Sequence, residues 1–126
     1  MSAVIAVILG AAIGAPARAA IERVINQGVD PTRFPLALSI VNISGSFLAG
    51  AAYALTTGDL RTFLIVGIVG SFTTFSGWVQ VISQSYRRRG GRTTGKRVRA
   101  LTWMVGIGAG VLGLCVLAAW LGMNLG

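Results

Sequence analysis

Residues 62–86 read TFLIVGIVGSFTTFSGWVQVISQSY, a run of 25 positions without one charged side chain. A helix needs about 20 predominantly apolar residues to cross the hydrocarbon core of a bilayer, which is about 30 Å thick. Helices of soluble domains average only about 11–12 residues. The stretch therefore predicts a membrane-spanning helix.

Three further runs on either side of it share this property. Residues 1–17, 34–58 and 100–126 carry no charged side chain, so every charge falls on the short segments between the runs. Charged residues make up 11% of the chain and the mean hydropathy is +0.76, whereas roughly a quarter of the residues are charged in a soluble domain. We expect an all-α membrane protein with a single domain over residues 1–126. Its four transmembrane helices are predicted at about residues 2–25, 36–55, 60–86 and 98–123.

The few ionisable and reactive side chains exclude several classes of function. No Lys or Arg precedes Arg18, so the first run lacks the basic start of a signal peptide and is expected to remain as a helix. The chain has no His and one cysteine, Cys115, which leaves neither a disulfide nor a transition-metal site. No feature suggests an enzyme. Seven of the eleven basic residues lie in residues 87–99, which is typical of a cytoplasmic loop and requires no nucleic-acid partner.

The middle of the third run is poor helix-forming sequence. Residues 70–77, GSFTTFSG, contain two glycines, two threonines and two serines among eight positions. Irregular backbone at mid-membrane depth is tolerated only where it is buried in protein or lines a cavity, and freed carbonyls there can coordinate Na⁺. The rings of Phe75 and Trp78 lie beside these hydroxyls, and an aromatic ring has a positive edge that can face an anion. We therefore predict a helix broken at its middle.

A second polar feature lies on the second helix. Ser39, Asn42 and Ser46 are spaced i, i+3 and i+7, which places them on one helical face. A buried amide in hydrocarbon is costly unless it is paired or hydrated. The three side chains are either hydrogen-bonding contacts between helices or a polar track along a passage.

Glycines recur at four-residue spacing in two of the runs. Gly10 and Gly14 lie in the first, and Gly106 and Gly110 in the last. Small residues at this spacing let helix backbones approach one another closely in lipid, so both pairs predict tight helix packing.

These motifs resemble the small bacterial fluoride channels of the Fluc/CrcB family along the whole chain. The first helix has a glycine-rich stretch that ends in an arginine, GAAIGAPAR at residues 10–18. The second has an asparagine followed by small residues, NISGS at residues 42–46. The third has the most specific element, GSFTTFS at residues 70–76.

The resemblance implies an antiparallel dimer of four-helix subunits that lets F⁻ leave the cell passively. It also implies a structural Na⁺ at the dimer centre, bound by the backbone carbonyls of Gly70 and Thr73 and not transported. Arg18 would lie at the vestibule, Asn42 would face the pore, and Phe75 would be the first of two pore aromatics. With the neighbouring polar side chains, the predicted fluoride pathway comprises Ser39, Asn42, Ser46, Thr74, Phe75, Ser76 and Trp78.

The chain departs from the family motif at four positions. Trp78 stands where the motif has the second pore phenylalanine, and Gly77 stands where it has a hydroxyl residue. Val81 replaces an acidic residue, and Ser71 replaces the second glycine of a Gly-Gly pair. A non-conducting structural subunit of a paired channel is therefore an alternative.

A small multidrug transporter, the other four-span alternative, needs an acid within the first helix. The only one, Glu22, lies near the helix end beside Arg18 and Arg23. This position disfavours that alternative.

Basic residues are distributed unequally between the two ends of the helices. One end has Arg18, Arg23, Arg33 and the seven basic residues of 87–99, and the other has only Arg61. This bias predicts one orientation in the plasma membrane of a bacterium, with the 87–99 loop cytoplasmic and both termini outside. An antiparallel dimer then requires an oppositely oriented paralogue, so we expect a heterodimer in preference to a homodimer.

Overall fold

The computed structural model describes residues 2–31, 33–89 and 93–126, with only the backbone of Arg89. Met1 of the first run, Thr32 of the first connector and residues 90–92 of the basic connector lie outside the described part. The described residues form helices and turns, with no strand among them. The helices are α1 (Ala3–Asn26), α2 (Leu36–Leu55), α3 (Gly58–Arg61, Thr62–Val69 and Gly70–Phe72 in succession), α4 (Ser76–Arg89) and α5 (Thr94–Met123).

Four segments of the described chain are long and apolar enough to span a membrane, which confirms the predicted all-α fold. They are Ala3–Asn26, Leu36–Leu55, Gly58–Arg88 and Thr94–Met123. The last helix begins at Thr94, four residues before the expected start at 98. Lys and Arg are good helix formers, so α5 continues into the basic connector, where water solvates the charges.

The backbones of α1 and α3 lie in direct contact. A Cβ atom on Gly10 would lie 2.6 Å from the Cα of Gly67 and 2.7 Å from the carbonyl oxygen of Phe63. Gly14 approaches the carbonyl of Ile68 in the same way. Glycine allows this approach because it has no side chain, and close packing of this kind drives helix association in lipid.

The central part of α3, Thr62–Val69, is π-helical. Hydrogen bonds from residue i to i+5 are rare over such a length and are often found at functional sites. No local sequence signal predicts this widening, which places Gly67 against α1. The helix then ends at Phe72, because Thr73 adopts an extended conformation with φ −75° and ψ 155°.

The buried core of the subunit lies between α2, α4 and α5. Its fully or nearly buried side chains are Leu38, Trp78, Val81, Met104 and Val111. Val81, at a position where the family motif has an acid, is thus an apolar side chain in an apolar cluster. A carboxylate at this position would have to be desolvated.

The connectors that hold most of the charge lie at one end of the helices. Arg88 Nη1 lies 4.0 Å from Asp30 Oδ2, which joins the end of α4 to the loop between α1 and α2. Both side chains are exposed, so this ion pair contributes little stability, but it shows the two connectors to be neighbours. At the opposite end, Arg61 donates from Nε to the carbonyl of Thr56 at 2.7 Å and from Nη2 to that of Tyr53 at 2.9 Å. These bonds satisfy carbonyls at the end of α2.

Candidate functional site

The break between α3 and α4 is three residues long and lies at residues 73–75. The amide of Thr73 still donates to the carbonyl of Val69 at 2.9 Å, which is the last helical bond before the break. Helix α4 then begins at Ser76. The break lies within the GSFTTFSG stretch, where the sequence predicts it.

The side chain of Asn42 holds the break from α2. Asn42 Nδ2 donates to the carbonyl oxygen of Thr74 at 3.0 Å, and the amide of Thr74 donates to Asn42 Oδ1 at 2.8 Å. Both the donor and the acceptor of the side-chain amide are therefore paired with one backbone residue. Asn42 is a hydrogen-bonding contact between helices, and it also borders a groove beside the break.

The hydroxyl of Thr74 closes the other side of the break. Thr74 Oγ1 accepts a hydrogen bond from the amide of Gly77 at 3.2 Å and lies 3.2 Å from Ser76 Oγ. One of the amides left without a helical partner at the start of α4 is satisfied in this way.

These contacts change the partners of two carbonyls. In a continuous α-helix the amides of Thr74 and Gly77 would donate to the carbonyls of Gly70 and Thr73, four residues earlier. In this chain they donate to Asn42 and to the Thr74 hydroxyl instead. The carbonyls of Gly70 and Thr73 therefore lose these two helical partners, and both residues border the groove.

The groove beside the break, which we call the apolar groove, has a volume of about 630 Å³. Asn42, Ser46, Gly70, Thr73 and Thr74 form its polar side. The opposite wall is largely apolar and comes from α5 with Val105, Gly108, Ala109, Val111, Leu112 and Cys115.

The two aromatic residues beside the break have different environments. The ring of Phe75 is 82% exposed and stands out from the subunit. Trp78 is only 7% exposed, because it packs in the core cluster while it borders the apolar groove. A single subunit therefore presents one free aromatic ring at the break.

Another groove, which we call the polar groove, has a volume of about 330 Å³ and lies towards the basic end of the helices. Its polar lining consists of Arg18, Glu22, Asn26, Thr74, Ser76, Gln80 and Gln84. Arg18 Nε lies 3.8 Å from Glu22 Oε1. Thr74 borders both grooves, so both lie beside the break.

Comparison with known proteins identifies the family. Residues 5–123 match the sequence model of a family described as "CrcB-like protein, Camphor Resistance (CrcB)". The chain belongs to this CrcB-like family. The resemblance to the Fluc/CrcB proteins is thereby confirmed.

Curated relatives of this CrcB-like chain match most or all of its length. A protein of Symbiobacterium thermophilum named "Fluoride-specific ion channel FluC 1" is 34% identical over 132 aligned positions, which cover 100% of this chain and 98% of the relative. One of Opitutus terrae named "Fluoride-specific ion channel FluC" is 32% identical over 97% of this chain and 90% of the relative. A third, of Desulforapulum autotrophicum and with the same name, is 33% identical over 79% of this chain and 74% of the relative.

Not every predicted site residue of this CrcB-like chain reaches a groove. Ser39 is buried, and its hydroxyl donates to the carbonyl of Pro35 at 2.8 Å within the start of α2. Ser46 and Asn42 both border the apolar groove. The shared helical face is therefore real, but Ser39 is buried within the start of α2, whereas Asn42 and Ser46 border the apolar groove.

Three polar residues of the polar groove were not predicted from the sequence. Asn26, Gln80 and Gln84 line it together with Ser76. A signal was available, because Ser76, Gln80 and Gln84 recur at four-residue spacing and so share one face of α4.

Proposed function

We propose that this chain is a subunit of a fluoride-specific ion channel that lets F⁻ leave the cell passively and lowers its cytoplasmic concentration. The observation that carries the proposal is the match, over essentially the whole chain, to relatives named fluoride-specific ion channel. The two grooves, which share Thr74 at a break in the third span, support a path for an ion rather than an enzyme active site.

The chemistry of the path suits a small, strongly hydrated anion. Hydroxyl groups of Thr74 and Ser76 and the exposed edge of Phe75 can replace part of the hydration shell of F⁻. Among the residues that the structure describes, no charged side chain borders the apolar groove, so selection of F⁻ over Cl⁻ would depend on hydrogen-bond donors in a narrow dehydrating passage.

We also propose that the carbonyls of Gly70 and Thr73 hold Na⁺ at the dimer centre, where two subunits would contribute two oxygens each. Their loss of helical partners supports this assignment. The bound cation would supply fixed positive charge and join the subunits without being transported. Replacing Na⁺ with a large organic cation should lower the thermal stability of the dimer, and equal stability in both salts would argue against the site.

The proposed partner is an oppositely oriented paralogue in the same plasma membrane. Ten basic residues near one end of the helices against Arg61 at the other support a fixed orientation with the 87–99 loop cytoplasmic. The relatives include proteins named FluC 1 and FluC 2, which supports the existence of paired chains. A tag on the C-terminus should be accessible only from outside the cell, and equal labelling from both sides would contradict the fixed orientation.

A second candidate is a structural subunit that completes the pore of its partner without forming a conducting pore of its own. The burial of Trp78 favours it, because only Phe75 presents a free ring at the break. The two candidates differ in whether variants at Phe75 of this chain change conduction or only assembly.

Anion efflux from liposomes tests the function. Liposomes are loaded with equal F⁻ and Cl⁻ and contain either this chain alone or this chain with the paralogue of the same organism. We expect F⁻ efflux from the paired channel with Cl⁻ retained. Equal efflux of the two anions, or no F⁻ efflux from a correctly assembled pair, would contradict the proposal.

A further inference from the structure

Two side chains determine the charge of the polar groove. Among the residues that line it, only Arg18 and Glu22 are charged, and the rest are amides, hydroxyls and apolar side chains. A cleft lined by charge of one sign concentrates oppositely charged ions. An arginine alone would therefore attract anions into this groove, but a carboxylate lies beside it.

From this arrangement we infer that Glu22 acts as a tethered counter-anion, which competes with the entering fluoride ion for Arg18 and so limits anion capture. The inference rests on the proposed function for its ligand, since the groove is taken as the entrance to the fluoride path. Glu22 would act by lowering the electrostatic potential of the groove, and this potential can be measured without measuring F⁻ flux.

The geometry of the pair allows this exchange. Arg18 Nε and Glu22 Oε1 are 3.8 Å apart, near the limit for an ion pair, and each side chain is 31% exposed. The pair has arginine at i and glutamate at i+4, the weaker of the two orientations on a helix. A partly hydrated pair of this kind is held weakly, so a mobile anion can replace the carboxylate at the guanidinium.

The position of the pair makes the competition relevant to the path. Arg18 and Glu22 lie on α1 and face the same groove as Thr74 and Ser76 at the break. An anion that enters from the basic end passes the pair before it reaches the break. The glutamate repels that anion and also neutralises Arg18, the one positive charge among the described residues that line the groove.

The first test measures anion capture in the channel assembled with its paralogue. Glu22→Gln keeps the side-chain shape and removes the charge, so F⁻ flux at low F⁻ concentration and low ionic strength should rise about two- to fivefold. The gain should nearly vanish at 1 M salt, where the Debye length is about 3 Å. The second neutral variant, Glu22→Ala, should show the same rise.

Two control variants separate this effect from a change of net charge. Asp30→Asn removes one carboxylate at the same end of the helices but outside the polar groove, so it should leave flux unchanged. In an Arg18→Gln background, Glu22→Gln should give a smaller gain than in the parent channel, because the group for which the anions compete is absent and only the direct repulsion by Glu22 is removed. A flux that is unchanged or lowered in both Glu22 variants would overturn the inference.

A second readout does not depend on conduction. In a Cys115→Ala background, Gln80→Cys places a thiol in the polar groove, and its rates of reaction with an anionic and a neutral methanethiosulfonate are compared. Glu22→Gln should raise the ratio of the anionic to the neutral rate about two- to fivefold. An unchanged ratio would overturn the inference whatever the flux.

The two readouts also distinguish failure of the inference from failure of the proposed function. A raised ratio with no F⁻ flux in any chain would refute the fluoride-channel function and confirm only the charge balance of the groove. A raised ratio with normal flux would show that Glu22 does not limit capture, which contradicts the inference.

Discussion

Two pairs of glycines with the same spacing have opposite environments in this molecule. Gly10 and Gly14 of α1 lie against the backbone of α3, where a Cβ on Gly10 would come within 2.6 Å of the Cα of Gly67. Gly106 and Gly110 of α5 face open space, and a Cβ on either would meet no atom within 4 Å. The spacing predicts tight packing for both pairs, and within the described chain this is found for Gly10 and Gly14 but not for Gly106 and Gly110.

The difference follows from how helices associate in lipid. Association depends on close packing and not on removing apolar surface from water, so a smooth face can remain exposed to lipid or receive another chain. The face on α1 stabilises the subunit itself. The face on α5 contributes nothing to the fold of the single chain that the structure describes.

The largest expected effect is that of a side chain added to the covered face. In Gly10→Val the new atoms overlap backbone atoms of Phe63, Gly67 and Ile68, which cannot rotate away. We expect a loss of about 3 kcal/mol in the free energy of unfolding. Unfolding followed in detergent micelles measures it, and a variant as stable as the parent chain would show that α1 and α3 are farther apart than described.

An intermediate effect is expected where a polar side chain joins two elements. Asn42→Ala leaves the amide and carbonyl of Thr74 without their partners, and this should cost about 1–3 kcal/mol in unfolding free energy. Asn42→Asp retains an acceptor for the Thr74 amide but loses the donor and adds a negative charge beside the path. It should abolish F⁻ flux, and normal conduction in that variant would exclude Asn42 from the path.

The smallest effect is expected on the open face, and it is the matched control for the first variant. Gly110→Val adds the same side chain where the subunit has room, so the unfolding free energy of the subunit should change by less than about 1 kcal/mol. Destabilisation as large as that of Gly10→Val would show that another chain covers this face in the assembled protein.

The main features of the fold could be predicted because they depend on local composition. The four charge-free runs determine the spans, and the glycines and hydroxyl residues of GSFTTFSG determine where the third span breaks. The π-helical segment Thr62–Val69 could not be predicted in this way. Phe63, Gly67 and Ile68 of this segment lie against Gly10 of α1, and such contacts between helices are not visible in local composition.

The candidate site was predicted in part, for the same reason. The spacing of Ser39, Asn42 and Ser46 predicts that Asn42 lies on a polar face of α2. The hydrogen bonds of Asn42 to Thr74 depend on where α2 lies relative to the break, which local spacing does not determine. The burial of Trp78 depends on packing with Leu38 and Met104, which are distant in sequence. The Ser39 hydroxyl donates a hydrogen bond to the carbonyl of Pro35, one turn earlier. The local sequence pattern cannot distinguish this arrangement from a serine that faces a pore.

Fluoride efflux from intact cells tests the central claim most directly, namely that this chain is one half of a fluoride channel. Cells without fluoride exporters are loaded with F⁻ and transferred to fluoride-free medium, and a fluoride electrode records the release. We predict rapid release when the chain is produced with its oppositely oriented paralogue, little release from the chain alone, and retention of Cl⁻ in both. No release from the pair with both chains present in the membrane, or loss of Cl⁻ as fast as F⁻, would contradict the account.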